Sequence, residues 1–193
     1  MLWLVTGGIA GGKSAFAAEL ARRLGKEGIR LYCPPFPERG VVSGDAAPKE
    51  PDGDFLWTSS DADGALARKI HRINTDSNFF RAERRVLVLD SLSGWLRGLY
   101  RRAEQDGHGQ GETLDGLWRE TLEALLSFEG KVIVVTEEPL AGLALDERTM
   151  EYAYRLAEAN RLLAETAVAV YRLTFGTATE VKGYRVEREG RDP

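Results

Sequence analysis

A chain of 193 residues is long enough to bury a core without staples, and with Cys33 as its one cysteine it has no internal disulfide. Its 26 basic and 30 acidic residues leave a formal net charge of −4, which argues against a surface built to coat nucleic acid and for a small-molecule partner. No stretch reaches the roughly 20 apolar residues of a membrane helix, and the opening MLWLVTGG has no basic leader. The expectation is one compact, soluble, cytoplasmic domain over 1–193.

In chain order, Leu2 to Thr6 is a short apolar run that ends in Gly-Gly and reads as a buried strand. Lys13 to Leu24 follows at helical spacing until Gly25 stops it, and Ile29 to Cys33 is a second strand candidate. The stretch 34–54 carries most of the prolines with several glycines and charges, the composition of a mobile loop or insertion. Phe55 to Thr58 is a candidate edge strand and Ala62 to Ile73 a helix. Val86 to Asp90 is a buried strand, Leu92 to Ala103 a helix, Asp106 to Gly111 a breaker, and Thr113 to Phe128 an amphipathic helix. Val132 to Thr136 is the next strand and Arg148 to Ala167 a long helix. Val168 to Thr174 and Glu180 to Val186 close the chain as two strands about Gly176. Apolar strands alternating with long helices imply a three-layer α/β fold with a mostly parallel sheet.

The segment Gly7, Gly8, Ile9, Ala10, Gly11, Gly12, Lys13, Ser14 satisfies GxxxxGK[ST] and lies between a predicted strand and a predicted helix, the context a P-loop requires. Its glycines let backbone N–H groups turn toward phosphates at a helix N-terminus, and Lys13 neutralises the β and γ oxygens. With Ala15, this segment is the expected site for ATP or GTP, in a P-loop NTPase fold of RecA-like or kinase type. Ser14 offers a hydroxyl to Mg²⁺. Asp90 ends the run VLVLD, so its carboxylate should emerge at the same edge of the sheet as a second group facing the metal. A helix cap is the plainer role for it, but Ser91 could cap equally well.

Two histidines remain. His108 sits in a glycine-rich, charged stretch and reads as a solvated loop residue. His71 lies on a predicted helix beside Arg68, Lys69 and Arg72, an electropositive setting that attracts phosphates and favours a neutral, nucleophilic imidazole.

Taken together, these residues resemble the bifunctional adenosylcobinamide kinase / adenosylcobinamide-phosphate guanylyltransferase family of cobalamin biosynthesis, the CobU type. LVTGGIAGGKS is similar to the family's opening, LDSLSGWLRGLY to its Walker B strand and the following helix, and VIVVTEE to its V-x-V-S-N-E strand. Asn160 falls near its N-Q pair, and LTFGTATEVKG resembles its closing strand, glycine and strand. Arg68, Lys69, Ile70 and His71 match its R-x-x-H segment, with Phe80 and Glu83 continuing a W-x-x-x-E-like tail. The resemblance implies that His71 accepts GMP from GTP and passes it to adenosylcobinamide phosphate. The P-loop would serve both that step and the earlier phosphorylation. It also implies a corrinoid substrate and a homo-oligomer, a trimer in the family, whose sites a neighbouring subunit helps complete.

The sequence departs from the family at several points. Glu137 stands where asparagine is usual, Pro139 and Leu140 replace V-G, Asp76 replaces an arginine, and the F-R-D triplet is not preserved around Tyr152 to Arg155. Either Leu31 to Cys33 or Phe55 to Thr58 could be the family's Y-x-A-T strand. Two rival readings stay open. The opening also resembles dephospho-coenzyme A kinases, which need no histidine intermediate, and a non-catalytic nucleotide switch would use the same P-loop.

Overall fold

The computed structural model describes residues 1–33, 55–76, 83–105, 111–139 and 146–182. Among these, seven strands make one sheet: β1 (Leu2–Gly7), β2 (Glu27–Tyr32), β3 (Leu56–Asp61), β4 (Arg85–Asp90), β5 (Lys131–Val135), β6 (Ala169–Thr174) and β7 (Thr177–Lys182). Five helices accompany them: α1 (Lys13–Leu24), α2 (Leu66–Asp76), α3 (Leu92–Gln105), α4 (Gly111–Leu126) and α5 (Glu147–Thr166). The strand order is β3-β2-β4-β5-β1-β6-β7. Every pair is parallel except the β6–β7 hairpin at one end.

Alternation along the central strands explains why both faces need cover. Leu2 and Leu4, Leu87 and Leu89, and Val132 and Val134 point to one side of the sheet. Trp3 and Val5, Val86 and Val88, and Ile133 and Val135 point to the other. The first set meets α2, α3, α4 and α5 through Ile70, Leu96, Trp118 and Leu163, with Trp95 and Trp118 stacked at 6.1 Å. The second set meets α1 through Ala17, Leu20 and Ala21. Truncating a fully buried leucine such as Leu89 to alanine costs about 2–5 kcal/mol in sites of this kind. The result is the expected three-layer α/β arrangement.

The element boundaries differ from the sequence expectations by a few residues. Gly25 does end α1, but through space rather than through a left-handed turn: its φ is extended, and a Cβ there would lie 2.5 Å from the Arg84 carbonyl oxygen. The helix expected from Ala62 starts at Leu66, because Asp63 closes a turn first. Its carboxylate accepts from the Ala65 N–H at 2.9 Å and from Lys69 at 2.8 Å, and the Lys69 bond holds the Asp63 carboxyl below its ordinary range. The candidate strand at Phe55 to Thr58 is the edge strand β3, which runs Leu56–Asp61, and that at Ile29 to Cys33 is its neighbour β2, which runs Glu27–Tyr32. The expected loop over 34–54, His108, Phe80, Leu140 and the strand end beyond Lys182 lie outside the described residues.

Candidate active site at the carboxyl edge of the sheet

Because β1, β4 and β5 run parallel and adjacent, their carboxyl ends deliver the β1–α1 loop, Asp90 and Thr136–Glu137 to one edge. The loop demands glycine where it leaves β1. Gly7 has φ +138, and a Cβ on it would sit 2.3 Å from the Leu173 carbonyl oxygen of β6, so any side chain there forces the strands apart. At the other end, Gly12 (φ +85) begins α1, and no side chain caps the helix, so its first turn of N–H groups faces the loop concavity. Ala10 also takes a positive φ of 57, while Ile9 and Ala15 are exposed.

Lys13 is 8% exposed and folds back over this loop, donating from Nζ to the Gly8 carbonyl at 2.6 Å. Burial pushes its ammonium below the ordinary range, and the carboxylates of Glu137 and Asp90 pull it back up. An incoming triphosphate would add further negative charge at the point where the cation is partly desolvated.

Asp90 is 7% exposed and holds two partners. Its Oδ1 accepts from the Ser14 hydroxyl at 2.9 Å, and its Oδ2 is bound by the Arg30 guanidinium from the neighbouring strand β2. A serine hydroxyl beside a carboxylate at a P-loop is the donor set that Mg²⁺ takes when phosphates complete its shell. Among the described residues no cluster of three or more acidic, histidine or cysteine groups forms a metal site; a Mg²⁺ carried by a nucleotide is a different case. Ser14 and Asp90 would hold it.

A polar network closes the same edge. The Asn160 amide of α5 accepts from the Thr136 hydroxyl at 2.8 Å and donates to the Glu137 carbonyl at 2.9 Å. The Glu137 carboxylate meets Arg97 of α3 at 2.8 Å. Arg97 also donates to the Tyr152 hydroxyl, which donates onward to the Ser93 carbonyl at 3.2 Å. Burial pushes the Tyr152 phenol up to about 12.

His71 stands apart. It is exposed midway along α2, which lies on the face opposite α1, packs against α4, and reaches the segment before β5 through Asn74, whose side-chain oxygen accepts from the Glu129 N–H at 3.1 Å. Its expected basic surroundings are also thinner than the sequence implies, because Lys69 is engaged with Asp63 and the Asp61 carbonyl. Within one chain the structure brings Lys13, Ser14 and Asp90 together and leaves His71 outside.

Sequence reasoning missed Arg30, Arg97 and Tyr152. Arg30 carried a usable signal, since a charged residue inside an otherwise apolar strand needs a carboxylate on its neighbour. Arg97 and Tyr152 carried none, because their meeting depends on how α3 and α5 pack.

The family model described as cobinamide kinase / cobinamide phosphate guanyltransferase matches residues 55–181, more than half of the chain. That span includes His71, Asp90, Glu137, Asn160 and the β6–β7 turn, and it begins after the β1–α1 loop. No curated protein sequence matches the chain. Among solved structures, the crystal structure of the RadB recombinase aligns over 89% of this chain and 73% of its own, at 15% identity and a TM-score of 0.44.

Proposed function

The chain belongs to the cobinamide kinase / cobinamide phosphate guanyltransferase family, and on that premise we propose that it phosphorylates adenosylcobinamide with ATP or GTP and then transfers GMP from GTP to the product through His71. The observation that carries the first half is the Ser14–Asp90 contact beside the buried Lys13, which joins phosphate-binding and cation-binding groups at the end of parallel strands. Family membership supports a corrinoid transferase. Its geometry favours phosphotransfer as the step that one chain can assemble alone.

In that step the acceptor hydroxyl oxygen bonds to the γ-phosphorus as the bridging oxygen to the β-phosphorus departs, and the hydroxyl proton is released. Lys13 and the uncapped first turn of α1 balance the charge on the leaving diphosphate. Mg²⁺, when bound, neutralises the same oxygens. Arg30 holds the Asp90 carboxylate in position and limits how far its Oδ2 can swing.

In the second step an imidazole nitrogen of His71 attacks the α-phosphorus and pyrophosphate leaves. A phosphate oxygen of the corrinoid then displaces the imidazole to form the new phosphoanhydride. One hard displacement becomes two easier ones. On this reading His71 meets the nucleotide of a neighbouring copy in a homo-oligomer, or reaches it when α2 moves. The placement of His71 favours one rival, a kinase without a histidine intermediate.

The test of the first half is transfer of γ-phosphate to adenosylcobinamide by wild type and Lys13→Ala. Transfer by wild type, lost in the variant, is the expected result; undiminished transfer by Lys13→Ala would remove the P-loop from the reaction.

A further inference from the structure

The turn of the β6–β7 hairpin is built from a residue that local structure disfavours. Thr174 pairs with Thr177, so Phe175 and Gly176 form a two-residue loop, and both have positive φ, 52 and 78. Such turns take asparagine, aspartate or glycine, and a bulky residue in the left-handed region is an outlier. Phe175 is also 99% exposed, the most exposed large apolar residue among those described. The local fold gains nothing from its ring. Non-glycine residues held in the left-handed region cluster at active sites and ligand clamps.

The turn is also in contact with the candidate nucleotide site. A Cβ built on Gly12 would lie 3.5 Å from the Gly176 Cα, and the Leu173 carbonyl oxygen lies 3.4 Å from where a Gly11 Cβ would be. Arg172 of β6 reaches Glu138 at 2.8 Å, which ties the hairpin to the end of β5 on the same edge. Phe175 therefore stands at the rim of the loop expected to wrap the phosphates, on the side away from Asp90 in the strand order. With the phosphates and a cation drawn to Ser14 and Asp90, the nucleoside would project toward the hairpin.

We propose that Phe175 is the stacking platform for the purine base of the nucleotide bound at the β1–α1 loop. This rests on the nucleotide reading of that loop. A phenyl face stacks on adenine and guanine alike, so the contact supplies affinity for either ATP or GTP without choosing between them. Positioning by the base would also set the triphosphate in register with Lys13.

The experiment compares binding of ATP, GTP and inorganic tripolyphosphate, each with Mg²⁺, by calorimetry to wild type, Phe175→Ala, Phe175→Trp and Lys13→Ala, with the native mass of each measured alongside. The expected result is a loss of about ten- to hundredfold in affinity for both nucleotides in Phe175→Ala, with tripolyphosphate unchanged and Phe175→Trp close to wild type. Equal nucleotide affinity in wild type and Phe175→Ala overturns the stacking while leaving the loop intact. A change in native mass without a change in nucleotide affinity overturns it too and makes Phe175 a contact between copies. If wild type binds neither nucleotide nor tripolyphosphate, the nucleotide reading of the loop falls and the stacking falls with it.

Discussion

The two regions expected to share one chemistry are built in opposite ways. At the carboxyl edge of β1, β4 and β5, Lys13 and Asp90 are buried, each charge has a named partner, and Asn160 and Arg97 hold the strand end from behind. On the opposite face of the sheet from α1, His71 is exposed on the outside of α2, and its neighbour Lys69 is spent on the turn before the helix. A site that transfers phosphoryl groups gains from groups fixed in advance, because they cost no reorganisation as charge develops. A nucleophile that must load a nucleotide and then deliver it to a second substrate has to be reachable from two directions. The difference between the regions suits a division of labour, with fixed phosphate chemistry in one place and a carrier residue in another.

Substitutions can break or sharpen that contrast. The largest effect should come from Lys13→Ala, which removes a charge from the assembled site and is expected to lower phosphotransfer about a hundred- to thousandfold, read from initial rates with saturating acceptor. Arg30→Ala should come next, in stability as well as in rate. It strands the Asp90 carboxylate in a nearly buried position, a loss of about 3 kcal/mol measurable by denaturant unfolding. Asp90→Asn keeps the shape and removes the charge, so the Mg²⁺ concentration for half-maximal rate should rise; an unaltered titration would take Asp90 out of the metal shell. The smallest effect should be that of His71→Ala on the kinase step and on stability, the latter within about 0.5 kcal/mol, as for exposed positions without special contacts. A large loss of phosphotransfer in that variant would show the two regions to be coupled.

The core of the fold was legible because the central strands are apolar on both faces, and VLVLD and VIVV can hardly be anything but buried parallel strands. The strand and helix that flank the Gly7–Ser14 motif were legible for the same reason, and they give that motif its context. The edge was harder. β3 is mostly polar and exposed from Thr58 onward, so its apolar start alone marked it, and its true extent to Asp61 was hidden. The start of α2 was misjudged because the Asp63 turn, a local side-chain bond, competes with helix in a way that periodicity does not register. Asn160 was singled out by resemblance, but its task, clamping Thr136 and Glu137, follows from how α5 lies against β5. The Arg97–Glu137–Tyr152 network was beyond reach for that reason: three elements must pack before the residues meet.

The most direct measurement is intact-protein mass spectrometry after incubation with GTP and Mg²⁺, on wild type, His71→Ala, Lys13→Ala, and the two variants mixed under subunit exchange. One acid-labile GMP adduct on wild type, absent from both variants alone and restored on Lys13→Ala chains in the mixture, is the expected result. It would join the fixed phosphate site of one chain to His71 of another. An adduct that persists in His71→Ala, or none on wild type while γ-phosphate transfer proceeds, would contradict the carrier role of His71 and leave a kinase alone.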